Sequence, residues 1–270
     1  MKKLKLNSLK IITLLVALLV GCSTSDANNT SSDNAVSFVE EIKANGVLKV
    51  ATGTYVPFEY RDSETDEIIG FDIDFAKYLA DKLGVELEVT DMAFTSIIPS
   101  VQKGDYDMSI AAMYDNSERR EQVLMSDSYM STGMVLVVPA GNPKNIQTLA
   151  DCEGLKVGVK TGGTSEKEAI DGMEAAGIKY EIVGYDETVG HAIDLEAGRV
   201  DVVVNDLLNQ LELNKTYTQQ EVVGEPFTEA NLSIAVKKGN DDFMEYINKT
   251  ISEYKTDGTY DELYKKWIEG

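Results

Sequence analysis

Residues 70–84 read Gly70-Phe71-Asp72-Ile73-Asp74-Phe75-Ala76-Lys77-Tyr78-Leu79-Ala80-Asp81-Lys82-Leu83-Gly84. Phe71, Phe75, Leu79 and Leu83 recur one turn apart, so the spacing predicts a helix over 70–83 with one apolar face. Gly84 follows, and a glycine can take the left-handed backbone that ends a helix. Short apolar runs at 47–51 and 85–89 flank the segment and read as strands. Strand, helix, strand is the unit of a parallel sheet covered by helices.

The alternation continues outward. Residues 96–102 read as a short helix with Pro99 in its first turn, where proline is tolerated. Residues 107–111 and 134–138 read as strands. The pattern then restarts with strand 156–159, helix 164–176, strand 180–183, helix 187–197, strand 200–204 and helix 206–213. A last strand at 233–236 precedes helices near 243–256 and 260–268. Two βα runs meeting near Pro139-Ala140-Gly141-Asn142-Pro143 predict two α/β lobes. Open α/β sheets bind ligands beyond the C-terminal ends of their strands, so the residues just after each strand are the first site candidates.

The chain has 270 residues, a length that suits about two domains. Hydrophobic residues make up 43% and charged residues 26%, an ordinary globular composition. Acidic residues number 46 against 25 basic ones, for a net charge of −21. Such a chain lacks the basic surface that displaces counterions from nucleic acid, which excludes general nucleic-acid binding. One histidine and two cysteines exclude a His-rich metal site and a four-cysteine zinc site. No metal and no cofactor are expected.

Lys2, Lys3, Lys5 and Lys10 precede an apolar run at 11–20 that is too short to span a bilayer core. The run meets Leu19-Val20-Gly21-Cys22, which resembles the bacterial lipobox, in which the cysteine is lipidated and becomes the new N-terminus. Residues 1–21 are therefore expected to be a lipoprotein signal peptide, and 22–45 a lipid anchor with a flexible tether. Residues 23–35 are small and polar and cannot bury enough apolar surface to fold. Cys152 then stands alone in the folded part, where a small buried hydrophobe is the expected role and no internal disulfide can form.

Several motifs fail. Gly158-Val159-Lys160-Thr161-Gly162-Gly163-Thr164-Ser165 has Thr164 where a phosphate loop needs lysine. No G-x-S-x-G nucleophile elbow occurs. His191 falls within a plain amphipathic helix, where a solvated or packing imidazole is expected. Asp62, Glu64, Asp66 and Glu67 lack the spacing of an EF-hand.

Residues 70–83, Thr54-Tyr55-Val56-Pro57-Phe58-Glu59, Met92-Ala93-Phe94-Thr95-Ser96-Ile97-Ile98-Pro99, Glu118-Arg119-Arg120-Glu121-Gln122-Val123 and Ser126-Asp127-Ser128-Tyr129 occur in order. Ala235-Val236-Lys237-Lys238-Gly239, Asp257-Gly258-Thr259-Tyr260 and the run to Lys266-Trp267 close the chain. From about 46 to 269 the sequence resembles the polar amino-acid-binding receptors of bacterial solute-binding protein family 3. The resemblance implies a periplasmic-binding-protein fold of type II. Each lobe would be a mainly parallel sheet flanked by helices, and two hinge strands would join them. Lobe 1 would hold 46–135 and 230–270, and lobe 2 136–229. The crossings would fall near 134–138 and 227–234.

The resemblance also implies the role: an extracytoplasmic lipoprotein, on the outer face of the cell membrane, that captures a free amino acid. It would deliver the ligand to the permease of an ABC transporter, acting as a monomer and not as an enzyme. A sensor or adhesin of the same fold is the alternative. Carried onto this chain, Arg119 is the carboxylate anchor, since a guanidinium holds a carboxylate through two parallel hydrogen bonds. Thr164, at a helix start, adds donors. Asp206 pairs the ligand ammonium. Tyr55 and Phe94 flank the ligand side chain, and Lys160, Thr161 and Asn205 stand where relatives tune specificity. Ala112 offers its backbone carbonyl where relatives usually have Gly or Ser. Tyr114 departs most, because relatives usually have Ser or Thr there. Thr52-Gly53 stands where relatives often carry an acidic residue.

Overall fold

A computed structural model describes residues 37–270. The expected signal peptide and Cys22 lie outside the described residues. The expected tether over 22–45 needs correction at its C-terminal end. Phe38–Asn45 forms helix α1, with Ile42 fully buried. Phe38 meets Phe243 edge-on with ring centroids 5.8 Å apart. Ser37 Oγ and the Val39 N–H both donate to Asp242, at 2.6 and 3.2 Å. These partners are some 200 residues away in the chain, so no local pattern in 37–45 reveals them.

From α1 the chain forms β1 (Val47–Thr52), a small hairpin of β2 (Tyr60–Arg61) and β3 (Ile68–Ile69), and α2 (Phe71–Leu83). Next come β4 (Glu86–Asp91), α3 (Phe94–Lys103), β5 (Met108–Ser109), α4 (Ser117–Gln122), β6 (Leu124–Met125) and β7 (Met130–Thr132). Then follow β8 (Met134–Pro139), a 3-10 turn at Leu149–Cys152, β9 (Lys156–Lys160), α5 (Thr164–Ala176) and β10 (Glu181–Tyr185). The second run ends with α6 (Thr188–Glu196), β11 (Val202–Asp206), α7 (Leu207–Asn214) and β12 (Gln220–Val223). β13 (Ala230–Leu232), β14 (Ala235–Val236), α8 (Asp241–Tyr254) and α9 (Thr259–Trp267) complete the chain.

Two five-stranded sheets result, and their orders match in kind. Lobe 1 has β4-β1-β5-β14-β6, with β1 parallel to β4 and β5, and β14 antiparallel to β5 and β6. Lobe 2 has β10-β9-β11-β8-β12, with β9 parallel to β10 and β11, and β8 antiparallel to β11 and β12. In each sheet the antiparallel neighbour of the third strand is the one that has just arrived from the other lobe.

The crossing itself is the antiparallel ribbon of β7 and β13, with Met130 opposite Leu232 and Thr132 opposite Ala230. Residues 134–138, expected at the crossing, lie instead inside the lobe 2 sheet and are buried throughout. A continuous apolar run such as Met134-Val135-Leu136-Val137-Val138 belongs to a strand covered on both faces, not to a hinge. Gly133 marks the junction, because a Cβ there would stand 2.2 Å from the Thr228 carbonyl oxygen.

The apolar face of α2 seats Phe71, Phe75, Leu79 and Leu83 in the lobe 1 core. Phe75 is fully buried and stacks on Tyr254 of α8 at 4.1 Å between centroids. Removing that ring removes transfer energy and leaves a cavity. Phe75→Ala is expected to lose about 3–5 kcal/mol of unfolding free energy in urea denaturation; a loss under about 1 kcal/mol would contradict this packing.

Candidate functional site

The C-terminal ends of β1, β4 and β5 in lobe 1 and of β9 and β11 in lobe 2 face a common cleft. Its inner cavity is small, about 30 Å³, and is lined by Tyr55, Phe94, Ala112, Tyr114 and Arg119 from lobe 1, with Lys160 and Thr164 from lobe 2. Met134, Gly163 and Ser165 also line it. The structure thus gathers seven of the ten expected site residues around one space. Asp206 stands behind Tyr114. Asn205 and Thr161 point elsewhere.

Arg119 lies in the short helix α4, where Asn116 Oδ1 accepts its backbone N–H at 2.9 Å as a helix cap. Arg119 is only 7% exposed, and its guanidinium sits 5.4 Å from the centre of the Phe94 ring. Nη1 donates to the Tyr114 carbonyl at 2.6 Å. Among the described residues no carboxylate pairs with it. Burial pulls its pKa down to about 10, which leaves it cationic at neutral pH. A buried guanidinium without an anion is a site waiting for one.

Thr164 opens α5 after Gly163, and its buried Oγ1 has no hydrogen-bond partner among the described residues. A free hydroxyl at the positive end of a helix is a second donor toward the same space. Lys160 ends β9 with its ammonium 5.5 Å from the Tyr55 ring and 5.6 Å from Phe94. It donates to the carbonyls of Asp186 at 2.9 Å and Thr54 at 3.4 Å. Burial lowers its pKa, while Glu59, Glu187 and Asp186 pull it back up.

Asp206 closes β11 and caps α7: Oδ1 accepts the backbone N–H groups of Leu208 at 2.8 Å and Asn209 at 3.1 Å. Its Oδ2 accepts the Tyr114 hydroxyl across the cleft at 2.5 Å. Burial raises its pKa, and these hydrogen bonds to the charged form oppose the rise. Tyr55 donates across the cleft to Asn205 Oδ1 at 3.0 Å, and Asn209 Nδ2 donates to the Val56 carbonyl at 2.5 Å. Asn205 Nδ2 in turn serves Asn209 and Gln210. Asn205 is therefore spent on lobe-to-lobe bonding rather than on the cavity. Thr161 turns its hydroxyl toward Gly184, where a Cβ would come within 2.7 Å of it.

Two carboxyls beneath the cavity escaped the sequence reading as site residues. Glu59 and Asp72 are both buried, and Glu59 Oε2 and Asp72 Oδ1 have no donor among the described residues. Asp72 Oδ2 accepts the Ala112 N–H at 2.7 Å and the Tyr129 hydroxyl at 2.9 Å. That bond pins Ala112 in the left-handed region at φ 44°, a conformation glycine takes more easily. Burial pushes both carboxyls up, Asp72 to about 7; the Asp72 charge raises Glu59 further, while a hydrogen bond from Glu59 holds Asp72 lower than burial alone would. The signal was available: Asp72 occupies the apolar face of α2, where an acid is out of place. Two other expectations hold. Cys152 is buried with its thiol pushed up to about 11, and His191 is a buried packing residue held neutral, with its pKa near 3. Asp115 pairs with Arg120 at 2.5 Å rather than with Arg119.

Residues 48–270 match the model of the bacterial extracellular solute-binding proteins, family 3. The chain belongs to this family. Among curated relatives, the L-cystine-binding protein of Escherichia coli is 30% identical over 94% of this chain and 92% of its own length. The glutamine-binding protein of a Bacillus subtilis ABC transporter is 35% identical over 98% of this chain and 97% of its own. Among solved structures, an ancestral arginine-binding protein bound to arginine superposes with a TM-score of 0.75 at 41% identity, covering 83% of this chain and 98% of that one.

The raised carboxyls make stability depend on pH in a definite direction. In the unfolded chain Asp72 loses its proton near pH 4, and in the folded protein near pH 7. Between these values the folded state binds more protons, so stability falls as pH rises. Urea midpoints for wild type are expected to drop relative to Asp72→Asn between pH 4 and pH 7. A constant difference across that range would contradict the assignment.

Proposed function

We propose that this protein captures a free amino acid between its two lobes and delivers it to the permease of an ABC transporter. The observation that carries the reading is Arg119: a buried, cavity-facing guanidinium that no carboxylate among the described residues pairs with. The ligand carboxylate takes that place, with Thr164 and the start of α5 adding donors from the other lobe. The ligand ammonium approaches Asp206. Names of the relatives support the class, since cystine, glutamine and arginine share the zwitterionic head.

Arg119 belongs to lobe 1, and Thr164 and Asp206 to lobe 2. A ligand touching both is bound fully only when the cleft is shut, so its differential contacts favour closure. Hinge closure around a ligand is the known behaviour of periplasmic binding proteins. Here the hinge is the β7–β13 ribbon. Binding and release account for this cleft, and we read the protein as a receptor rather than an enzyme. Attachment is through lipid on Cys22, which places the folded unit on the outer face of the cell membrane. Among the described residues no helix is long and apolar enough to cross a membrane.

Lys160 sets the charge of the accepted side chain. A ligand side chain between Tyr55 and Phe94 runs toward its ammonium. A cationic side chain about 5 Å away costs about 3 kcal/mol at an effective dielectric near 20. Neutral or acidic side chains are therefore favoured over arginine or lysine. Titration calorimetry is expected to show binding of a neutral or acidic amino acid, lost by about 100-fold or more in Arg119→Ala. Lys160→Met is expected to narrow the gap to cationic amino acids. Binding unchanged in Arg119→Ala would overturn the carboxylate anchor. Cys22→Ser is expected to move the protein from the membrane fraction to the medium, and retention on the membrane would overturn the lipid anchor.

A further inference from the structure

In a cleft that closes over Asp206, something has to donate to its carboxylate. A buried carboxylate left without donors is costly, and that cost is what forces a receptor of this kind to demand an ammonium. In this chain the demand is already met from within. Asp206 is 1% exposed and Tyr114 is 5% exposed, and the phenol reaches from lobe 1 to Oδ2 at 2.5 Å. With the N–H groups of Leu208 and Asn209 on Oδ1, the carboxylate holds three donors before any ligand arrives. A serine or threonine at position 114 is too short to cross the cleft.

The position of Tyr114 makes the contact durable. Its backbone bridges to Leu232 of the hinge strand β13, and Asp206 pairs in the sheet with Met134, just past the other hinge strand. Both partners thus sit near the pivot, where lobe rotation displaces atoms least. The phenol also takes up room beside Asp206, so the space for the group on the ligand α-carbon is narrow.

We propose that Tyr114 frees this site from requiring an α-ammonium, so that it binds the 2-hydroxy acid counterpart of its amino acid almost as well. The carboxylate of such a ligand still pairs with Arg119. Its α-hydroxyl, smaller than an ammonium, accepts from Tyr114 or donates to Asp206. No buried charge is left unpaired in the closed cleft. This inference rests on the amino-acid reading above for the carboxylate anchor, and the experiment separates the two.

The test is titration calorimetry of the purified protein with matched pairs: L-glutamate and L-2-hydroxyglutarate, L-glutamine and its 2-hydroxy analogue, L-leucine and L-2-hydroxyisocaproate, L-phenylalanine and L-phenyllactate. For the pair that binds, wild type is expected to prefer the amine by less than about tenfold, the equivalent of about 1.4 kcal/mol. Tyr114→Phe keeps the ring but removes the donor, and is expected to raise that preference at least about fivefold. A wild-type preference of tenfold or more, or a smaller rise in Tyr114→Phe, overturns the proposal. The wild-type ratio stands by itself if the variant does not fold, which its thermal unfolding reports. Binding of hydroxy acids alone overturns the amino-acid reading and supports this one; binding of neither member of any pair overturns both.

Discussion

Arg119 is buried and, among the described residues, no carboxylate pairs with it; the cleft is arranged around that fact. The guanidinium is held by a helix cap, one carbonyl and an aromatic face, none of which cancels its charge. Leaving a cation in that state is unfavourable, so the closed cleft is complete only when an anion enters. The free hydroxyl of Thr164 and the N-terminus of α5 face the same point from the other lobe. In the proposed function binding and lobe closure are thereby one event, with the β7–β13 ribbon as the hinge.

The negative charges around the cavity are managed differently. Asp206 is satisfied by backbone N–H groups and by a phenol from the facing lobe. Glu59 and Asp72 are too buried and too close for both to ionise, so the pair holds a proton near neutral pH. Lys160 lines the cavity as a second cation beside Arg119. The charged groups that line the cavity are therefore cationic, although the chain as a whole carries a net charge of −21. Net charge describes the surface, whereas a site is set by the few groups that face it.

The regular part of the fold was legible because its signals are local. Helix 70–83 and helix 164–176 were readable from apolar spacing and flanking glycines, and both form within a residue of the expected bounds. The strands at 47–51, 156–159 and 200–204 showed as apolar runs. What escaped was held by distant partners. Helix α1 depends on Asp242 and Phe243. The hinge strand β7 is three residues with mixed burial and exists because it pairs with β13, which does fall inside the return crossing expected at 227–234. Strands β2, β3 and β6 are two residues long, which is below any readable period.

The sequence by itself determined the α/β alternation, the family, and the candidate residues for a zwitterionic ligand, because each is written in short ordered motifs. Arg119, Thr164 and Asp206 were readable as candidates on those grounds. Only the tertiary structure decided which of them share a space and which are already engaged. It set Asn205 to joining the lobes and Thr161 to packing on Gly184. It placed Glu59 against Asp72 and carried the Tyr114 hydroxyl to Asp206. Those outcomes depend on contacts between residues up to 150 apart, such as Tyr55 with Asn205. Such distances are fixed by how two sheets face one another, and no window along the chain contains them.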